Sequence, residues 1–448
     1  MRWSRNEHLF TRGRAGVLAC VLLLGAGAAR ANVGIANVMV ASRDAKTATV
    51  TFDISWDKSW RHEANHDAAW VFFKVRPEDQ SDWQHVRLVA DKVLNPAGYG
   101  QEKGGTALDF IVPDGKDGFL GMFVRRAEYG VGKVAATKVT AVWDLAAGKG
   151  VTKDAKVSMR AFGIEMVYVT EGPFYLGSGG TEPFRFYEFT DGTQHRLPYR
   201  VTGPGAIPTG RQEGRLWARG YEPEDGGEIP AAFPNGYAAL YCMKYHILKG
   251  QYAGFLNTLS PEQAQVRYVR KSGFTRSGQS PNYTYSPDFP YRSCGGLSWA
   301  DGVAFGAWAA LRPMTELEFE KVSRGPMEAG WDTGDRLDHP SYWAVQSWCG
   351  WRVFPERVVT AANARGRRFK GTHGLGTTDV PADWPLADAV GAMVRGGHGP
   401  HGRWSCRKPP LRIDQRSNGR GWRGVRTAPK GVGPRMPNTS PRQQKGQP

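Results

Sequence analysis

Pro313 most narrowly limits the fold of the chain around it. It sits in LSWADGVAFGAWAALRPMTELEFEKVSRG (297–325), where one helical pattern runs into it and a capped helix begins just beyond. Trp299, Val303, Ala307 and Leu311 recur four apart and make one apolar helical stripe. Ser298 and Asp301 stand three apart where that helix starts, an approximate capping box. The ring of Pro313 removes a backbone donor and bars the helix from continuing. Thr315 and Glu318 then read T-x-x-E, a full capping box, and Gly325-Pro326 closes the second helix. Leu317 and Val322 are expected to face the core, with the carboxylates of Glu316 and Glu320 together on one helix face.

Residues 32–160 have a different periodicity. VGIANVMVAS, TATVTFDISW, AAWVFFKVR, HVRLVAD, ALDFIV, GFLGMFVRR, KVTAVWDL and VSMRAFGI alternate or run apolar, with turn-rich NPAGYG, PDGKDG and AAGKG between them. Eight candidate strands with no helical stripe predict an antiparallel β-sandwich. Trp56, Trp60, Trp70 and Trp83 read as packing anchors or exposed aromatic platforms. AFGIEMVYVT then carries the chain into a second domain, placed at 161–428. In it, 178–240 is rich in Gly, Pro and aromatics and predicts a long excursion with little regular structure. YCMKYHILKGQYAGFLNTL reads as a strand followed by a helix, with Tyr252, Phe255, Leu256 and Leu259 on its apolar face and Ser260-Pro261 ending it. Asn282 and Asn438 open glycosylation sequons.

Residues 1–31 carry Arg2, Arg5, Arg12 and Arg14, an apolar run and the A-x-A end Ala29-Arg30-Ala31. This is the pattern of a secretory signal cleaved after Ala31, which predicts a secreted or periplasmic protein without a transmembrane span. The five cysteines are Cys20, Cys242, Cys294, Cys349 and Cys406; none forms C-x-x-C, and those beyond the signal are expected as structural bridges or buried thiols. The formal net charge is +17, and from Arg395 onward thirteen Lys or Arg face Asp414 as the sole acid. The segment 429–448 is almost free of apolar residues and is expected as a disordered basic tail. Such a tail is either a solvated segment or a contact for anionic glycans or lipid headgroups; no nucleic-acid partner is expected.

Four blocks resemble, in order, those of the formylglycine-generating, sulfatase-modifying factor family. The 297–325 stretch is similar to that family's V-S-W-x-D-A … R-L-P-T-E-A-E-W-E block. MVYVTEGPFYLGSGG resembles its F-x-M-G-S strand, YCMKYHILKGQYAGFLNTL its E-V-T-x-x-x-Y-x-x-F-L block, and MVRGG with GWRGVRTA its closing V-x-R-G-G-S … G-F-R. The resemblance implies an irregular, coil-rich domain related to C-type lectins. The expected fold class is therefore α+β, an N-terminal antiparallel β-sandwich followed by that domain.

The family oxidises a substrate cysteine to formylglycine with copper(I) held by two cysteines, since soft thiolates suit that ion. Here Cys406 falls where the second cysteine would stand and His401 takes the place of the first. His398, His401 and Cys406 are the candidate metal set, and Cys406 the candidate catalytic thiol. The family's calcium motif, G-N-x-W-E-W, is replaced in SYWAVQSWCGWRVFPER (341–357), so calcium ligands are not assigned there. With the pair broken, the expected function is an exported, non-catalytic or divergent binding module. The alternative is a copper-dependent oxidase acting on a protein or peptide cysteine through Cys406. A nonheme-iron sulfoxide synthase is disfavoured, because those enzymes add a histidine-bearing helical domain.

Overall fold

The computed structural model describes residues 33–113, 119–177, 185–190, 197–218, 227–270, 272–327, 340–346, 356–396, 407–408, 416 and 421–436. It is strand-rich with few helices, a β-rich α+β protein of several, mostly antiparallel sheets. The expected signal at 1–31 lies outside the described residues. Among those residues no helix is long and apolar enough to cross a membrane.

Strands β1 (Gly34–Ser42), β2 (Thr47–Arg61) and β7 (Gly130–Asp144) form a three-stranded sheet. Along β2 every second side chain is buried, so Val50, Phe52, Ile54 and Trp56 share the inner face, as a period of two requires. On β7 the inward set changes phase between Ala136 and Val139, because the register with β2 shifts between Phe52 and Ile54. The shift is a bulge: Lys138 has a φ of 46° and its N–H donates to Asp53 at 2.9 Å. The extra residue returns Val139, Ala141 and Trp143 to the core side.

That face packs on β3 (Asp67–Pro77), β5 (Leu108–Ile111), β6 (Met122–Arg126) and the start of β8 (Val157–Val169), with Val71, Phe73, Phe110, Val124 and Met159 in the same core. HVRLVAD contributes less than its alternation suggests: β4 is only Gln84–His85, pairing with β3, and Leu88 makes isolated bridges.

Position 160/161 falls within β8. One edge of β8 pairs with β3, and its last residues pair with the strand Leu240–Met243. The sheet continues through Gly424–Thr427 to Arg312–Pro313, eight strands in all with β4. β3 is buried on both faces, which explains its unbroken apolar run. Its second face, with Trp70 and Phe72, packs on the helices described next.

Helix α1 (Lys249–Leu256) follows the Leu240–Met243 strand as expected, burying Tyr252, Phe255 and Leu256, while Leu259 lies beyond its end and half-buried. Ser260-Pro261 does not simply end it. Ser260 caps a second helix, α2 (Pro261–Arg267), through a full box with Gln263 and with Pro at the first helical position. Helix α3 (Trp299–Trp308) and helix α4 (Glu316–Arg324) flank the Pro313 corner; Leu311 sits after α3 rather than on it. Both expected boxes form: Ser298 Oγ accepts from Asp301 N at 3.1 Å, and Thr315 Oγ1 from Glu318 N at 3.1 Å. Gly302 and Gly306 bring α3 against the Trp422 ring, where a Cβ at either position would clash with the indole.

Two expectations are corrected. The 178–240 excursion contains regular structure: Phe186–Glu188, Leu216–Ala218, Ile207–Thr209 and Gly227–Ile229 form a small four-stranded sheet. Strands of three residues are too short to leave a period in the sequence. The tail expected to be disordered from residue 429 is docked as far as Met436. Val432 is buried in the core, its carbonyl accepts from Arg125 Nη1 at 2.6 Å, and Met436 N donates to Glu171 O at 2.7 Å. Low apolar content misled there, because one valine and backbone hydrogen bonds suffice to hold the segment.

Candidate functional site

The Pro313 corner directs α4 into the interior, where all of its residues are buried, its charges included. Glu318 accepts from Arg312 Nη1 and Nη2 at 2.9 and 2.6 Å, a bidentate pair that also returns to cap α4. Glu316 Oε1 accepts from Thr360 Oγ1 at 2.8 Å and Ala361 N at 2.7 Å. Glu320 pairs with Arg324 and with Arg395, and Gly177 N donates to it at 3.3 Å. Lys321 Nζ donates to Tyr237 O and Ala238 O at 2.9 and 3.2 Å; burial brings its pKa down to about 7. The two carboxylates read as one helix face thus serve as buried fasteners for Arg395 and the segment after Val359.

Arg395 ends the strand Ala392–Arg395, whose neighbours are Glu356–Val359 and Arg407–Lys408. Glu356 lies opposite Arg395, and Arg395 opposite Arg407, so all three strands open at one end of a small sheet. Gly421 bridges to Glu356 there as well. His398, His401 and Cys406 fall between Arg395 and Arg407 in sequence, and Cys349 falls before Glu356. All four lie outside the described residues.

A buried ionic cluster underlies that end. Glu356 Oε1 accepts from Arg423 Nε at 2.6 Å and lies 2.7 Å from His246 Nε2. Arg423 Nη2 also lies 3.2 Å from His246 Nδ1. Burial would raise the Glu356 carboxyl, but the charges of His246 and Arg423 outweigh it and hold it below its usual value. Its Oε2 has no hydrogen-bond partner among the described residues.

A second cluster adjoins the first through Lys244, whose carbonyl accepts from Arg423 Nη1 at 3.0 Å and from Gln346 N at 2.9 Å. Lys244 Nζ lies 2.7 Å from Glu165 Oε1 and 3.6 Å from Asp67 Oδ2, over the Trp60 ring. Asp67 also accepts from Ser59 Oγ at 2.7 Å, Trp56 Nε1 at 3.1 Å and Trp60 N at 3.1 Å. Glu165 Oε2 is buried and unpartnered among the described residues. Burial raises both acids, Glu165 to about 7. One lysine cannot fully neutralise two carboxylates, and Glu165, with fewer donors, is the one that keeps a proton near neutral pH. No sequence motif signalled either cluster; their members come from segments far apart in sequence, with Arg423 and His246 separated by 177 positions.

The described cysteines are buried free thiols, Cys242 and Cys294. Burial pushes the Cys294 thiol up to about 12 and Cys242 higher still, so neither is a thiolate at physiological pH. Among the described residues no group of three or more His, Cys, Asp or Glu is arranged to hold a metal ion. The basic excess of the C-terminal part is also partly internal. Arg395 and Arg423 serve the clusters above, Arg416 pairs with Asp301 at 2.8 Å, and Arg426 is buried over Trp70.

No protein-family model matches the chain, and no curated protein matches it.

Proposed function

We propose that the chain is an exported binding module, a β-sandwich joined to a sulfatase-modifying-factor-like domain that does not perform the oxidation its resemblance implies. One observation carries the fold half of this reading. The four resembling blocks, far apart in sequence, meet as neighbours: β8, Leu240–Met243, Gly424–Thr427 and Arg312–Pro313 are successive strands of one sheet, with α3 and α4 beside them. The functional half rests on the thiols. His401 stands in place of one cysteine of the copper pair, and Cys242 and Cys294 are fully buried free thiols.

The test is copper content of the purified protein, followed by oxidation of a sulfatase-type cysteine peptide with copper supplied. Negligible conversion is expected. The companion variant His401→Cys restores the pair. Robust formylglycine formation by the unmodified protein, abolished by Cys406→Ser, would overturn this reading in favour of the oxidase.

A further inference from the structure

We propose that Arg76, Trp83 and Arg160 form an oxyanion-binding site at the rim of the seam between the β3–β8 face and α1. Arg76 pairs with Ser158 and Lys74 with Arg160, so Arg76 and Arg160 are diagonal neighbours on one face of the sheet. Phe72, Lys74 and Phe162 continue that face inward and close on Trp308. The two guanidinium groups therefore stand where the packed seam opens to solvent. Their central carbons lie 5.1 and 4.7 Å from the centroid of the same Trp83 ring, and all three side chains are half-buried. Arg160 Nη1 donates to Asn257 O at 3.1 Å, just past the end of α1, which holds that guanidinium in place.

The charge around these groups differs from that around three arginines of the interior. Arg312, Arg395 and Arg423 each lie on a carboxylate. Neither Arg76 nor Arg160 has a carboxylate within ion-pair distance among the described residues. Arg76 and the Trp83 indole donate no hydrogen bond to protein among those residues either. Burial, and then the charge of Arg76, hold Arg160 below the usual arginine value, in keeping with two cations crowded together without a counter-charge.

Two planar forks of N–H donors and an indole N–H, partly desolvated and without an acid, are suited to the oxygens of a sulfate or phosphate group. Sulfate and phosphate share this chemistry whether free or esterified to a sugar.

The test is calorimetric titration of the full chain with four probes: inorganic sulfate, inorganic phosphate, glucose 6-sulfate and glucose 6-phosphate. Saturable binding of at least one is expected, weakened about ten-fold or more in Arg76→Gln. Arg76 donates to no protein acceptor among the described residues, so that variant should stay folded, with only the small midpoint shift that losing its stacking on Trp83 brings. Arg160→Gln provides an independent second measurement. Tighter binding of the sugar esters than of the ions assigns the site to an esterified ligand; equal binding assigns it to the free ion. Absence of saturable binding by all four, or parent-like affinity in both variants, overturns the proposal.

Discussion

Arg125 Nη1 donates to the carbonyl of Val432 at 2.6 Å, joining the N-terminal half of the large sheet to a segment more than three hundred residues later. Arg125 also pairs with Asp109 at 3.1 Å and approaches His66 Nε2 at 3.3 Å, so this contact belongs to a buried network. The segment from Pro429 to Met436 is thereby part of the folded unit.

Ending the chain after Ala428 should therefore destabilise it. The truncation exposes the groove filled by Val432 and leaves a buried arginine donor unpaired, at a combined cost of about 2–5 kcal/mol. Chemical denaturation of the truncated protein against the full chain measures this. An unchanged midpoint would mean that the docked segment contributes nothing.

Thr315→Ala should cost about 0.5–2 kcal/mol through loss of the cap on α4. The upper end is expected, because Thr315 Oγ1 also donates to Pro234 O at 2.8 Å and the residue is fully buried. A shift of the urea midpoint reads the effect, and Thr315→Ser should restore most of it.

Gly302→Ala should be destabilising even though alanine is the better helix former. The added methyl would run into the buried Trp422 ring, and overpacking of this kind costs about 1–3 kcal/mol. Gly302→Ala combined with Trp422→Phe should recover part of the loss in a double-mutant cycle. Strict additivity of the two substitutions would exclude the clash.

Glu165 predicts a pH dependence. Burial pushes its folded pKa from 4.5 to about 7, above the unfolded value. Its favourable contribution is then fully present below the unfolded pKa and is lost as pH rises through the folded one. Asp67, also raised, acts in the same direction. Unfolding free energy measured from pH 5 to 8 should fall less steeply in Glu165→Gln than in the parent. Parallel curves would place the titration elsewhere.

The helix boundaries at Ser298, Thr315 and Gly325 and the strands β1, β2, β3 and β5–β8 were legible in the chain, since each depends on neighbours within a few residues, whereas α3 ends at Trp308, short of Pro313. Capping joins positions three apart, and strand burial repeats every second residue. Even α2 had its signal, in Ser260-Pro261-Glu262-Gln263, which spells a box with proline in the first turn. The three-residue strands between 186 and 229 had none, because their pairing is wholly non-local. Likewise, nothing local announces that Glu316 and Glu320 are buried. A four-residue spacing places them on one face, but whether that face meets water or Arg395 depends on how α4 docks. Tertiary structure alone brought His246, Glu356 and Arg423 together, and Lys244 with Glu165 and Asp67. Buried charges are tolerated only where distant strands deliver opposite charges and donors to the same place, a condition that no single segment of the sequence contains.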